Sequence, residues 1–139
     1  MKRLALLSVV ALMLASAVFA PVAMAQELGD VEIQTVTLGP GGTLQVTGTI
    51  VCEPGHDYDI FLEARQTQGN QPVKFAQGRT NTVICQTTGQ ETFTVDLLPE
   101  EGSKPIRKGE VVVSGSRFMC GPSICNQRTI GVEVFELAR

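Results

Sequence analysis

The sequence predicts an all-β domain, an immunoglobulin-like β-sandwich of seven to eight antiparallel strands held by two disulfides. Three observations carry that prediction. From residue 31 onward the chain alternates apolar and polar residues in short runs rich in Val, Thr and Ile. Those runs are separated by Gly- and Pro-bearing turn stretches, and helix signals are absent. Regular short strands at this turn spacing, in a domain of this length, favour a sandwich over a barrel.

The first element is an export signal. Lys2 and Arg3 precede an acid-free apolar run, broken by Pro21 and ending in the small-x-small triplet Ala23-Met24-Ala25. That is the pattern of a secretory signal peptide over residues 1–25, with the mature chain starting at Gln26. A competing triplet ends at Ala20, but Pro21 follows it and disfavours cleavage there. An uncleaved anchor is the rival reading, since about 20 apolar residues can span a bilayer. The Pro21 break and the Ala-Met-Ala ending favour cleavage, and no second stretch is long and apolar enough to cross a membrane. Residues 26–139 then form a single β-sandwich domain of 114 residues, enough for one core. It carries nine Lys plus Arg against fourteen Asp plus Glu, a net charge of −5 with no basic cluster. Nucleic acid and anionic membrane are poor partners for such a surface.

Eight strands can be marked in order: 31–38 (VEIQTVTL), 43–52 (TLQVTGTIVC), 57–67 (DYDIFLEARQT), 72–77 (PVKFAQ), 80–87 (TNTVICQT), 91–97 (ETFTVDL), 110–120 (EVVVSGSRFMC) and 127–137 (QRTIGVEVFEL). Because side chains alternate sides along a strand, phase identifies the inward face. It is Leu44, Val46, Ile50 and Cys52 in the second strand and Tyr58, Ile60, Leu62 and Ala64 in the third. Val83 and Cys85 follow in the fifth, and Phe93, Val95 and Leu97 in the sixth. In the last strand Ile130, Val132 and Val134 share one face while Phe135 and Leu137 share the other. The period slips there, which predicts a bulge or end-fraying, with a small exposed apolar patch as the functional alternative.

Four cysteines in an exported chain are most simply two disulfides. A zinc site has no support: His56 is the only histidine and there is no Cys-x-x-Cys pair. Cys52 and Cys85 face one core from different strands, as a bridge between layers requires. Cys120 and Cys125 close a short loop at the end of a hairpin. The pairing 52–85 and 120–125 follows. The loop between the latter, Gly121, Pro122, Ser123 and Ile124, reads first as a register clamp. It is also the candidate interaction loop, because a cross-linked tip loses less entropy when a partner binds it.

Two resemblances rest on these segments. "GTLQVTGTIVC", a following aromatic-containing strand, "NTVICQTTGQETFTVDL", "GEVVVSGSRF" and the closing "VEVFEL" together resemble a family of small exported actinobacterial β-domains of unknown function. That resemblance implies the sandwich, the 52–85 bridge and export, and no activity. "CGPSIC" is similar to the short disulfide loop of the neocarzinostatin-like chromophore-binding apoproteins, which hold an enediyne in an aromatic-lined cleft. This chain has its other cysteines 33 positions apart, no Trp and one Tyr, so only Cys120 and Cys125 carry over.

The densest polar group is "CEPGHDYD", with Glu53, His56, Asp57, Tyr58 and Asp59. Catalysis would make His56 a general base oriented by Asp57 or Asp59, but no Gly-x-Ser-x-Gly elbow supplies a nucleophile. Calcium could use Glu53, Asp57 and Asp59, but the ligand order of an EF-hand loop is missing. The reading adopted is a solvated turn bent at Pro54-Gly55. "LPEEGSKPIRKGE", with Lys104, Arg107, Lys108 and nearby Arg117 against Glu100, Glu101 and Glu110, reads as a soluble connection. The expectation is therefore a secreted, non-catalytic module, extracellular or associated with the cell envelope, without cofactor or metal. Its partner would be a protein or envelope component. A small hydrophobic ligand carried between the layers, or a protease bound through loop 120–125, are the alternatives.

Overall fold

The computed structural model describes residues 26–138. The leader expected at residues 1–25 lies outside the described residues, as does Arg139. Eight strands follow one another: β1 Val31–Leu38, β2 Leu44–Cys52, β3 Asp57–Gln66, β4 Lys74–Arg79, β5 Val83–Ile84, β6 Gly89–Pro99, β7 Gly109–Cys120 and β8 Cys125–Leu137. Every pairing is antiparallel, in the order β1-β2-β6-β4-β3-β7-β8, with β5 also on β3. The all-β class, the antiparallel strands and the two disulfides are as the sequence predicts.

Strand β6 links the two halves of this path. Residues 89–97 pair with β2, and Leu98 and Pro99 then pair with Gln77 and Ala76 of β4. The end strands β1 and β8 approach each other across a seam, so the sheet is nearly closed and barrel-like. Inside it lie the residues that phase assigned inward: Leu44, Val46, Ile50, Tyr58, Ile60, Leu62, Ala64, Phe93, Val95 and Leu97 are buried, together with Cys52 and Cys85, while Val83 is only partly buried against them. Alternation places one apolar side chain inward every second residue, and burying them is the main favourable term in folding.

Several expected boundaries move, each for a local reason. The strand expected at 80–87 contracts to Val83–Ile84 because its flanks are bonded otherwise. Thr80 Oγ1 accepts the Ile60 amide at 2.9 Å, the Thr80 amide donates to the Ile60 carbonyl at 2.9 Å, and the Cys85 amide donates to the His56 carbonyl at 2.9 Å. The strand expected at 72–77 starts at Lys74 and runs to Arg79. "GPGG" contains a single 3-10 turn over Pro40–Gly42, with Gly41 and Gly42 at positive φ.

The connection 100–108 is more than a soluble link. Ile106 is buried, and the buried Gln66 amide donates to the Arg107 carbonyl at 2.7 Å while its oxygen accepts the Arg107 amide at 2.9 Å. Arg117, grouped with that connection by sequence, belongs to the interior: only 1% of it is exposed. It falls in phase with Val111, Val113 and Met119, the inward residues of β7.

The slipped period of β8 is a bulge. Val113 pairs with Glu133 but Gly115 pairs with Ile130, so β8 spends three residues where β7 spends two. Ile130 and Leu137 are buried on either side of it, whereas Val132 and Val134 are exposed. The bulge and an exposed apolar patch thus occur together.

Candidate functional site: the cross-linked end and the outer face of β3, β7 and β8

Two segments singled out by sequence, "CEPGHDYD" and "CGPSIC", meet at one end of the molecule. The turn between β2 and β3 bends at Gly55, whose φ of 91° is left-handed and suits glycine, and closes with the His56 amide donating to the Glu53 carbonyl at 3.2 Å. The tip between β7 and β8 closes with the Gly121 amide donating to the Ile124 carbonyl at 2.8 Å, and Cys120–Cys125 ties its base. The His56 ring lies against Gly121: a Cβ there would stand 2.6 Å from His56 Nε2. The core disulfide Cys52–Cys85 and the Cys85-to-His56 hydrogen bond fasten the third segment to the same end. Both disulfides therefore brace one pole.

This contact gives His56 a packing role. Its Nδ1 lies 3.2 Å from the Glu53 carbonyl, and no serine hydroxyl bonds it among the described residues. Asp59 accepts from Thr80 Oγ1 at 3.2 Å, so the acidic residues of the turn do not converge on one point. Among the described residues no group of three or more His, Cys, Asp and Glu side chains is arranged to hold a metal ion.

Register extends the pole into a surface. Ile84 of β5, Asp57 of β3, Cys120 of β7 and Cys125 of β8 form one cross-strand row. Asp59, Phe118 and Gln127 form the next, and Phe61, Ser116 and Thr129 the one after. Partners in a row point to the same side, here outward. Ile124 is 73% exposed, Ile84 64% and Phe118 47%. Farther along the face a shallow groove of about 390 Å³ runs between Phe61 and Val132 over Ser114, Gly115, Ser116 and Gly131. Its floor is low because β7 carries small residues there; a Cβ on Gly115 would collide with the Phe61 carbonyl oxygen.

No family model matches the chain, and no curated protein matches it. One solved structure is similar. It is a crystal structure assigned to an ApaA protein of Bordetella pertussis, 14% identical, covering 81% of this chain and 98% of that one, with a TM-score of 0.48.

Sequence reasoning located the loop 120–125 and its disulfide but missed the outer-face residues that accompany it. Phe61, Ile84 and Phe118 sit out of phase with the core residues on their own strands, and that counter-phase is the signal that could have found them. Glu91, close behind this pole, is held by the chain around Cys85. Burial works against its charge, but donation from the Gln86 amide at 2.6 Å, the Thr87 amide at 2.7 Å and Thr87 Oγ1 at 3.1 Å outweighs burial and keeps its carboxyl below the usual range.

Proposed function

We propose that the protein is an exported, non-catalytic binding domain that engages a protein of the cell envelope through the cross-linked tip and the adjoining outer face. The observation that carries this reading is the placement of exposed apolar side chains. Of the nine large hydrophobic residues exposed among the described ones, six (Phe61, Ile84, Phe118, Ile124, Val132 and Val134) fall on this tip and face. Scattered apolar residues on a surface need no explanation, but a one-sided concentration on a covalently braced element does. Bracing also lowers the entropy cost of association.

The finer architecture belongs to the same proposal. β1-β2-β6 and β4-β3-β7-β8 are read as the three- and four-stranded layers of an immunoglobulin-type sandwich, bridged by the end of β6. That grouping is supported by the short two-residue pairing that connects them. Two disulfides suit an oxidising compartment, and with the apolar leader 1–25 they support export with cleavage before Gln26. The resemblance to small exported β-domains agrees with this reading, and the neocarzinostatin-like resemblance is confined to the tip.

Retention of the purified oxidised protein on isolated envelope fractions of its own host tests the function, with Ile124→Asp and Phe118→Asp as variants. Wild type should be retained and both variants released. Equal retention of all three, or of none, defeats the reading. Intact-mass measurement on protein collected from the host's medium tests export, since the expected species begins at Gln26 with both disulfides formed.

A further inference from the structure

At the seam between β1 and β8, beside the cross-linked pole, lies a cavity of about 360 Å³ whose lining includes Asp30, Thr49, Gln90, Arg117, Arg128 and Thr129. Arg117 enters it from the inner face of β7 and is the largest fully buried side chain among the described residues. A guanidinium presents five N–H donors and stays protonated in proteins. Here Nε donates to the Gly29 carbonyl at 2.7 Å, and Nη1 donates to the Asn126 carbonyl at 3.3 Å and to Asn126 Oδ1. Nη2 has no partner, and it is the only buried side-chain nitrogen or oxygen among the described residues left in that condition.

All of these partners are neutral. The nearby carboxylate of Asp30 is already committed, Oδ1 to Arg128 at 3.3 Å and Oδ2 to the Glu27 amide at 2.7 Å, and Glu27 also pairs with Arg128 at 3.2 Å. Burial pushes the Arg117 guanidinium down from its usual value and Arg128 adds to this, with Asp30 opposing. A buried charge without a counter-ion is costly, and proteins pair or neutralise such groups.

We propose that the seam cavity is a binding site for a compact carboxylate, which supplies the missing counter-ion to Arg117. The Nε and Nη1 protons are already taken, so a carboxylate would be held by the two protons of Nη2. Thr49 and Gln90 offer polar side chains in the same lining. Asp30 and Glu32, also in the lining, disfavour a dianion, so a singly charged carboxylate is preferred over phosphate. Gly29 covers the guanidinium; its φ of 82° and missing side chain allow that approach, since a Cβ would stand 2.6 Å from Nη2. Occupancy is therefore read at Gly29 as well as at Arg117. The site is separate from the tip and does not depend on its role.

Sodium acetate titrated into the ¹⁵N-labelled, oxidised protein at constant ionic strength tests the proposal, with sodium chloride and inorganic phosphate as parallel titrants. The expected result is a saturable shift, on the order of millimolar, confined to the Arg117 Nε–H and the Gly29 and Thr129 amides. Phosphate should be weaker and chloride without saturation. Arg117→Gln should weaken acetate binding by about tenfold or more. Because Arg117 also anchors Gly29, Thr49→Val and Gln90→Leu, which leave that anchor intact, serve as second variants and should each weaken binding several-fold. A non-saturating response to acetate, equal responses to all three titrants, or unchanged affinity in the variants overturns the proposal.

Discussion

Glu91 shows how a single exposed-strand residue becomes pH-sensitive. Its carboxyl is held low by three donors from Gln86 and Thr87, so the folded state gains stability from the charged form above the ordinary glutamate range. That gain disappears as pH falls through the lowered folded value. Thermal melts from pH 7 down to about pH 3 should show wild type losing its advantage over Glu91→Gln, with the two converging at the acid end. Glu91 also helps push up the Tyr58 phenol, after burial, so the same substitution should lower the alkaline titration of Tyr58. A second residue-scale contrast lies in two glycines of one groove. Gly115→Ala should cost about 1–3 kcal/mol through collision with the Phe61 backbone. Gly131→Ala, which meets nothing nearby, should stay within about 0.5 kcal/mol. Urea denaturation of both variants checks the pair. Inward apolar residues were legible at this scale because alternation is regular on β3 and β6 and is interrupted on β2 only around the buried Thr49. Arg117 was misread because its charge outweighed its phase, though it stands two residues from Met119 on the same inward register.

At the scale of elements, β8 is the strand where pattern and structure diverge most instructively. Its slipped period was visible in the sequence, and the bulge opposite Val113 and Gly115 explains it. The pattern did not reveal that the slip turns Val132 and Val134 outward on an end strand, because that depends on which side of the bulge meets the core. Exposed apolar residues on such a strand invite association with another copy. Val132→Lys with Val134→Lys should leave stability within about 0.5 kcal/mol per site and reduce self-association at high concentration, read by light scattering. The strand β5 was overestimated for a different reason. Thr80 and Cys85 satisfy their backbone groups through β3 and the turn at His56, outside any regular ladder of their own. No local propensity carries that information.

Across the whole molecule, the two cross-links act over very different lengths of chain. Cys52–Cys85 closes 33 residues of separation and Cys120–Cys125 closes five. In the chain-entropy account the first is worth about 4 kcal/mol and the second about 2 kcal/mol. Net stability for a domain of this size is only ~5–15 kcal/mol. Replacing Cys52 and Cys85 together with alanine should therefore lower the urea midpoint about twice as far as replacing Cys120 and Cys125. Near-equal losses would count against this ordering. The overall class was legible because turn spacing and inward cysteines are local signals. Closure of the seam was not, since it depends on the accumulated twist of many strands.

The paths of the end strands carry a mechanical consequence. β1 enters at the braced pole and runs away from it, and β8 leaves that pole and ends at the far side, where Leu137 pairs with Gly109. Tension between the two termini therefore loads both outer ladders lengthwise, so many hydrogen bonds must yield together instead of unzipping singly. The Cys120–Cys125 link stops β8 from sliding along β7. Pulled from its ends in a single-molecule force experiment, the oxidised domain should resist stretching far better than the reduced one.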